Sequence, residues 1–412
     1  MRFGTVRGAN MESSWKPEWH QRSRMVRAVR ARVRTAFFGV VRAVGRTDDG
    51  RSIITETCRD VVSRPMAALP ASALRHAVPY SELGRARGDG LVASRRPVFI
   101  SARFRSGSTL LWNLFRHVDG CTAYYEPLNE RRWFDPAHRG TGTDSTHRHV
   151  DEYWREYDGL QELGHHYRED WIRRRLYMDE YSWDPSLVAY VRLLVERAPG
   201  QPVLQFNRID FRLPWFRHTF PGATLVHLYR NPRDQWCSSL LSPSACPSSY
   251  GMAEFPAHDY FYLLPWAEDL KYQFPFLNPS LIAHPYQLFY FLWKLSFWFG
   301  VAYSHHSLSF EALIANPEFE LRRLFRATGV ECVDFPRLLT LVEPRPSQWP
   351  QYADDEWFRR HEEACEDVLR DFFRSAARSG IRDAAASPLH GMSDALAGGV
   401  ELPSDVAAAR SH

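Results

Sequence analysis

Lysine is scarce in this chain, because only Lys16, Lys271 and Lys294 stand among its 52 basic residues. Arginine therefore carries nearly all of the positive charge, and its planar fork suits phosphate and sulfate groups better than an ammonium does. The net charge is also low, at +4 over 412 residues. This small value argues against a dedicated DNA-binding protein, and we expect no nucleic acid partner.

Cysteine and histidine show no ligand spacing. The 6 cysteines are scattered without a C-x-x-C pair, and the 17 histidines include no H-E-x-x-H motif. The segment from His361 to Cys365, H-E-E-A-C, comes nearest to that motif and fails it. These absences argue against a disulfide framework and a zinc site, and they predict reduced thiols in a cytoplasmic protein without a metal.

Long apolar runs are rare as well. No apolar stretch precedes a small-residue cleavage site near the N-terminus, so no secretory signal is predicted. Residues 286–303 form the one membrane-like segment, but Lys294 lies near its middle and its length is close to the minimum for a span. We expect these residues to form a buried helix of a large core.

Composition divides the chain into three parts. Residues 1–95 are predicted to be an N-terminal extension, partly helical and basic. Within it, residues 21–46 interleave arginines with apolar side chains, which is typical of a helix for peripheral membrane contact or of a solvated helix docked on its own domain. A catalytic domain is predicted over residues 96–380, and residues 381–412 are expected to be a disordered tail.

Short apolar runs alternate with helical patterns through residues 96–380. Strands are predicted at 98–100, 121–125, 203–206, 223–229 and 307–310, with helices near 110–115, 234–239 and 317–328. The segment 127–200 is expected to be mostly helical. This alternation predicts an α/β fold, in which a mainly parallel sheet is flanked by helices on both faces and carries helical insertions. Ligands of such sheets bind at the carboxyl ends of the strands.

The segment Arg105–Thr109, R-S-G-S-T, lies between the first predicted strand and a helix. Gly107 lets the backbone approach a phosphate closely, and Ser106, Ser108 and Thr109 offer hydroxyl and N–H groups. The helix N-terminus adds a partial positive charge and Arg105 a full one. The alternative is an N-capping cluster with an incidental arginine. The loop lacks the lysine of a nucleoside-triphosphate loop, since Ser108 stands at that position.

Two segments resemble those of sulfotransferases that use 3′-phosphoadenosine-5′-phosphosulfate (PAPS). The first, P-V-F-I-S-A-R-F-R-S-G-S-T-L-L, is similar to the P-loop-type 5′-phosphosulfate-binding loop of the carbohydrate-type and bacterial branch, except that Phe104 stands where the family often has proline. The second, T-L-V-H-L-Y-R-N-P-R-D-Q-W-C-S-S-L, resembles the 3′-phosphate-binding strand and helix. The resemblance implies that PAPS binds to Arg103, Arg105, Ser106, Gly107, Ser108, Thr109, Arg230 and Ser238.

The resemblance also implies an activity, namely transfer of a sulfuryl group from PAPS to a hydroxyl or amine of a small-molecule, glycan or lipid acceptor, without a metal. Residues 127–200 and 240–303 would be insertions on the acceptor side. Arg105 matches the family's catalytic cation. Glu126, in Y-Y-E-P-L-N-E, matches the glutamate base of the carbohydrate-type branch, while the alternative is that Glu126 only pairs with an arginine, Arg103 or Arg208.

A third segment, S-F-E-A-L-I-A-N-P-E-F-E-L-R-R-L-F-R-A-T-G-V, resembles a late structural segment of the family. After it, Arg345 and Trp349 are candidates for a loop that closes over the nucleotide. Two other functions stay open on the residues alone. A P-loop small-molecule kinase would need a lysine in the loop or a metal-binding acid after a strand, and neither is visible. A non-catalytic nucleotide-binding protein would not need Arg105 and Glu126.

Overall fold

The computed structural model describes residues 96–378, except Ser145 and Val333, together with Ala36, Val40 and Thr47. The chain divides into two units, Met1–Ala68 and Leu69–His412. In the first unit Ala36 and Val40 are helical and exposed. The remaining predictions for residues 1–95 and for the tail 381–412 lie outside the described residues.

Five parallel strands form one sheet in the second unit. They are β1 (Val98–Ala102), β2 (Cys121–Tyr125), β3 (Gln201–Phe206), β4 (Thr224–Tyr229) and β5 (His306–Ser309). Their order across the sheet is β2-β3-β1-β4-β5, with every neighbouring pair parallel. The predicted α/β class with a parallel sheet is therefore confirmed.

Strand β1 lies at the centre of the sheet and is buried along its whole length. Its side chain Phe99 makes edge-on contacts with Phe206, Phe216 and Phe220, at ring-centroid distances of 6.0, 5.7 and 5.4 Å. A parallel strand covered on both faces has no solvent side, so its sequence is continuously apolar instead of alternating. This is why the run V-F-I at residues 98–100 is recognisable as a strand, although β1 continues through Ser101 to Ala102.

Eleven α-helices connect and cover the strands in the described part of the chain. They are α1 (Ser108–Arg116), α2 (Pro185–Arg197), α3 (Leu213–Thr219), α4 (Pro232–Ser239), α5 (Leu263–Leu270), α6 (Pro285–Tyr303), α7 (Phe310–Ala315), α8 (Pro317–Thr328), α9 (Phe335–Leu339), α10 (Trp349–Tyr352) and α11 (Asp355–Arg378).

Helix α6 is the segment that looked membrane-like, and it is buried inside the protein. Leu288, Leu292 and Leu295 on this helix are fully buried. Lys294, the charge near its middle, pairs with Glu366 on α11 at 2.6 Å, so the ammonium lies on the side that faces α11. Within the described residues, none of the helices has the length and apolar character needed to cross a bilayer.

The expectation that residues 127–200 are mostly helical is wrong. Between β2 and α2 the described residues contain only short 3₁₀ helices, at Arg155–Tyr157, Gln161–His165 and Glu169–Ile172. Arg132 and His149 have φ of 48° and 58°, and Gly159 has φ of 83°. A right-handed helix cannot include such left-handed residues, so the chain turns repeatedly and packs its aromatic side chains as a folded loop.

Four strands end on the same edge of the sheet. The register pairs Ala102 of β1 with Leu228 of β4, and Tyr125 of β2 with Gln205 of β3. The segments that follow these strands therefore emerge side by side.

Candidate active site

A cavity of about 660 Å³ lies at the carboxyl ends of the strands. Cavities of roughly 300–1,000 Å³ are typical of small-molecule sites. Most of the predicted site residues line it, namely Arg105, Gly107, Ser108, Thr109, Glu126, Arg230, Ser238 and Arg345.

The loop between β1 and α1 has a backbone that only glycine accommodates. Gly107 has φ of 95° and precedes the first residue of α1. A Cβ atom at this position would lie 2.2 Å from Cδ2 of Phe310, so both the backbone angle and the space require glycine. Among the described residues no side chain caps α1, and its first N–H groups are available to a bound anion.

The two phosphate motifs contact each other directly. Arg105 donates from Nε to Oγ of Ser238 at 3.0 Å. Arg230 donates from Nη1 to the carbonyl oxygen of Arg105 at 3.1 Å, and its guanidinium lies 5.0 Å from the ring centroid of Phe310. The segments after β1 and β4 therefore form one site instead of two.

Positive charge is concentrated in this part of the cavity. Arg105, Arg148, Arg230 and Arg345 all line it. Burial lowers the pKa of Arg230, and the charges on Arg105 and Arg345 lower it further. Burial and the charges on Arg148 and Arg105 lower the pKa of Arg345. Asp144 pairs with Arg105 at 3.5 Å and Glu343 pairs with Arg148, and both acids line the same cavity. The remaining excess of arginines still favours an anion.

Glu126 follows β2 in a left-handed conformation, with φ of 39°, and is 5% exposed. Its Oε1 accepts a hydrogen bond from Nδ2 of Asn207 at 2.5 Å, and its Oε2 accepts one from Nδ2 of Asn129 at 2.6 Å. Arg208 pairs with the same carboxylate at 3.3 Å. The ion pair with Arg208 is therefore present, and Glu126 also lines the cavity. The role of Glu126 as a base stays a prediction.

Arg103 and Ser106 were predicted to bind the donor, but they do not line the cavity. Arg103 is 7% exposed, pairs with buried Asp210 at 3.6 Å and lies over the ring of Trp266 at 5.1 Å. Ser106 is fully buried and donates to the carbonyl oxygen of Arg103 at 2.7 Å. Both side chains therefore stabilise the loop by contacts on the side that faces away from the cavity.

Trp349 also lies outside the cavity lining, and the guanidinium of Arg233 is 4.9 Å from its ring centroid. Arg345, in contrast, lines the cavity, and its role in closing over a nucleotide stays a prediction.

His147 and Phe310 also line the cavity, although no sequence motif marks either of them as a site residue. Nε2 of His147 lies 3.2 Å from Oγ1 of Thr109, and its Nδ1 lies 2.6 Å from the hydroxyl of Tyr153. Burial lowers the pKa of His147 to about 4, so its ring is neutral at pH 7. His147 comes from a segment without a motif, whereas Phe310 lies in the third family-like segment and was assigned a structural role only.

Residues 97–262 match the model described as "Sulfotransferase family". This range contains both phosphate motifs, Glu126 and His147, while Arg345 lies beyond it.

Two solved structures are similar to the chain. Sulfotransferase STF9 from Mycobacterium avium is 12% identical, with 73% of this chain and 81% of that chain covered and a TM-score of 0.38. Sulfotransferase STF1 from Mycobacterium tuberculosis H37Rv is 16% identical, with 70% and 83% covered and a TM-score of 0.35. A comparison with curated proteins gives no match.

Proposed function

We propose that this chain, whose residues 97–262 match the sulfotransferase family model, transfers a sulfuryl group from PAPS to a hydroxyl or amine of a small-molecule, glycan or lipid acceptor. The observation that carries the donor assignment is the direct contact between the two phosphate motifs. Arg230 reaches the carbonyl oxygen of Arg105 at 3.1 Å, and Arg105 reaches Ser238 at 3.0 Å. A nucleotide phosphorylated at both its 5′ and 3′ ends has the charge distribution that such a joint site favours.

The donor is held by arginines and by a helix terminus in this proposal. The 5′-phosphosulfate lies at the N-terminus of α1, where Gly107 allows close approach and Arg105 supplies a full charge. The 3′-phosphate lies at Arg230 and Ser238, and Arg345 supplies a further cation. Arginine forks form short, charge-assisted hydrogen bonds to such groups.

The chemical step forms one bond to sulfur and breaks another. The acceptor oxygen or nitrogen attacks sulfur in line, and its proton passes to the carboxylate of Glu126. The bond from sulfur to the bridging oxygen breaks, and its electron pair stays on the departing 3′-phosphoadenosine-5′-phosphate (PAP). Arg105 and the N–H groups of α1 stabilise this developing charge. Arginine stays protonated, so Arg105 does not act as an acid.

Asn207, Asn129 and Arg208 fix the orientation of the Glu126 carboxylate at the cavity wall. A base held in one orientation loses less entropy when it meets the acceptor proton. This arrangement places one oriented carboxylate at the cavity wall, which the proposed base requires. The pairing with Arg208 is also what a purely structural Glu126 would show, so substitution decides between the two roles.

Substitution of the two catalytic candidates tests the proposal. Arg105→Ala should abolish transfer from labelled PAPS and weaken PAP binding. Glu126→Gln should lose about 100-fold or more of the transfer rate and keep PAP affinity, because positioned bases contribute on that order. Glu318 and Arg322 pair with each other on the exposed face of α8, so Glu318→Gln and Arg322→Ala are matched controls that should leave transfer unchanged.

The acceptor is sought by incubating the protein with labelled PAPS and fractionated cell extract. Full activity in Glu126→Gln would show that another group takes the proton.

A thermal-shift measurement separates this function from a kinase. We expect stabilisation by PAP without Mg²⁺. Stabilisation only by ATP with Mg²⁺ would favour a small-molecule kinase, and PAP binding without any transfer would favour a non-catalytic nucleotide-binding protein.

A further inference from the structure

Arg345 reaches the cavity from a segment that has no regular structure. Residues 342–348 form neither helix nor strand, and residues 344–348 are exposed. Pro344 and Pro346 flank Arg345, and neither has a backbone N–H to donate. A residue that precedes proline is also confined to extended conformations, so the backbone at Arg345 is stiff. We call residues 343–349 the proline segment.

Side chains must therefore hold the proline segment in place. At its start, the carboxylate of Glu343 pairs with Arg148 and with Nε2 of His149, the latter at 2.7 Å. Arg345 itself donates from Nη2 to the carbonyl oxygen of Thr146 at 3.1 Å. This end of the segment is fastened to the loop beside the phosphate site.

The carboxylate of Asp234 holds the other end of the proline segment by hydrogen bonds. Oδ1 of Asp234 accepts from the backbone N–H of Gln348 at 2.7 Å and from that of Trp349 at 3.3 Å. The hydroxyl of Ser347 donates to the same carboxylate, at 3.0 Å to Oδ1 and 2.9 Å to Oδ2. Asp234 is 8% exposed and lies on α4, one turn before Ser238, but it does not line the cavity.

We propose that Asp234 is a positioning residue for the donor site: by binding residues 347–349 it holds the guanidinium of Arg345 in the cavity. The motif R-N-P-R-D then serves the donor twice, directly through Arg230 and indirectly through Asp234. This inference rests on the proposed function, because it takes PAP as the ligand of Arg345.

A second effect of Asp234 must be separated from this one. Its charge also favours the protonated form of Arg230, against the burial that lowers the pKa of that residue. A loss of PAP affinity in Asp234→Asn alone would fit either effect. Ser347→Ala gives an independent test, because it removes two of the contacts to Asp234 without changing any charge.

The experiment is a double-mutant cycle on PAP affinity, measured by calorimetry without Mg²⁺. Arg345→Ala should weaken binding about tenfold, which is the loss of one charge-assisted hydrogen bond partly screened by water. Asp234→Asn should weaken it about fivefold, and Ser347→Ala about twofold to threefold. In the Arg345→Ala background Ser347→Ala should change the affinity by less than about twofold, since the residue it positions is gone. Asp234→Asn should lose clearly less than about fivefold there, because only its effect on Arg230 remains.

Equal losses in both backgrounds would overturn the inference, because Asp234 would then act on Arg230 or on the fold. Thermal unfolding of each variant checks that the protein is folded, and if Asp234→Asn does not fold, the cycle with Ser347→Ala decides. Failure of the unsubstituted protein to bind PAP would overturn the proposed function together with this inference. Binding of PAP with additive losses would overturn this inference alone.

Discussion

Substitution of Gly107 by alanine tests the geometry of the phosphate loop. The backbone φ of 95° is strained for any residue with a Cβ atom, and the added methyl group would lie 2.2 Å from Cδ2 and 2.5 Å from Cε2 of Phe310. Phe310 is 6% exposed, so its ring has little room to move.

Two unfavourable contributions lower the free energy of unfolding of Gly107→Ala. A left-handed backbone costs an L-residue about 1–2 kcal/mol. Forcing an extra methyl group against a buried ring costs about 1–3 kcal/mol. The free energy of unfolding should therefore fall by about 2–5 kcal/mol. At about 2 °C per kcal/mol for a domain of this size, Tm should fall by roughly 4–10 °C.

Calorimetry with a matched glycine measures this effect. A Cβ atom added at Gly222 would meet no other atom within 4 Å, and the φ of this residue is not left-handed. Gly222→Ala should therefore stay within about 0.5 kcal/mol of the unsubstituted protein. Combining Gly107→Ala with Phe310→Ala removes the steric cost but keeps the backbone cost, so the two losses should be less than additive. Equal stability of Gly107→Ala and Gly222→Ala would refute the reasoning.

Two further outcomes are expected. Arg103→Ala should lower the free energy of unfolding by about 3–5 kcal/mol in a denaturant titration, because it leaves Asp210 buried without the cation that lies 3.6 Å away. The affinity for PAP should hardly change. A loss of PAP affinity with unchanged stability would instead show that Arg103 binds the donor. Since the pKa of His147 is lowered to about 4 by burial, protonation favours the unfolded chain, and stability should fall as pH drops from about 6.5 to about 4. His147→Gln should lose less stability over that window, and parallel pH profiles of the two proteins would contradict this assignment.

The strands were predicted closely from the sequence. Strand β2 has the predicted bounds, β4 begins one residue later than predicted, and β5 is shifted by one residue at both ends. Strands β1 and β3 are each two residues longer than predicted. Strands buried on both faces need continuous apolar runs, and such runs are local features that can be read directly. The segment 127–200 was predicted wrongly, because its conformation depends on left-handed turns and aromatic packing, which follow no period along the chain.

The candidate site also combines features that are local in the sequence with contacts between distant residues. The order of strand, glycine-containing loop and helix at Gly107 depends only on residues that are neighbours in the chain. The same is true of the strand and the following helix around Arg230. Both motifs could therefore be found without coordinates. The sequence could not show that they touch, because Arg230 and Arg105 are 125 positions apart.

The sequence by itself determined the class of fold, the two phosphate motifs and the resemblance that joins them, since each depends on residues that are close together in the chain. Only the tertiary structure decided that Arg105 faces the cavity while Arg103, two positions earlier, pairs with Asp210 inside the protein. It also decided that Glu126 pairs with Arg208 and that His147 reaches Thr109. The physical reason is that the direction of a side chain is set by the partners that the fold brings to it, and these partners come from distant parts of the chain.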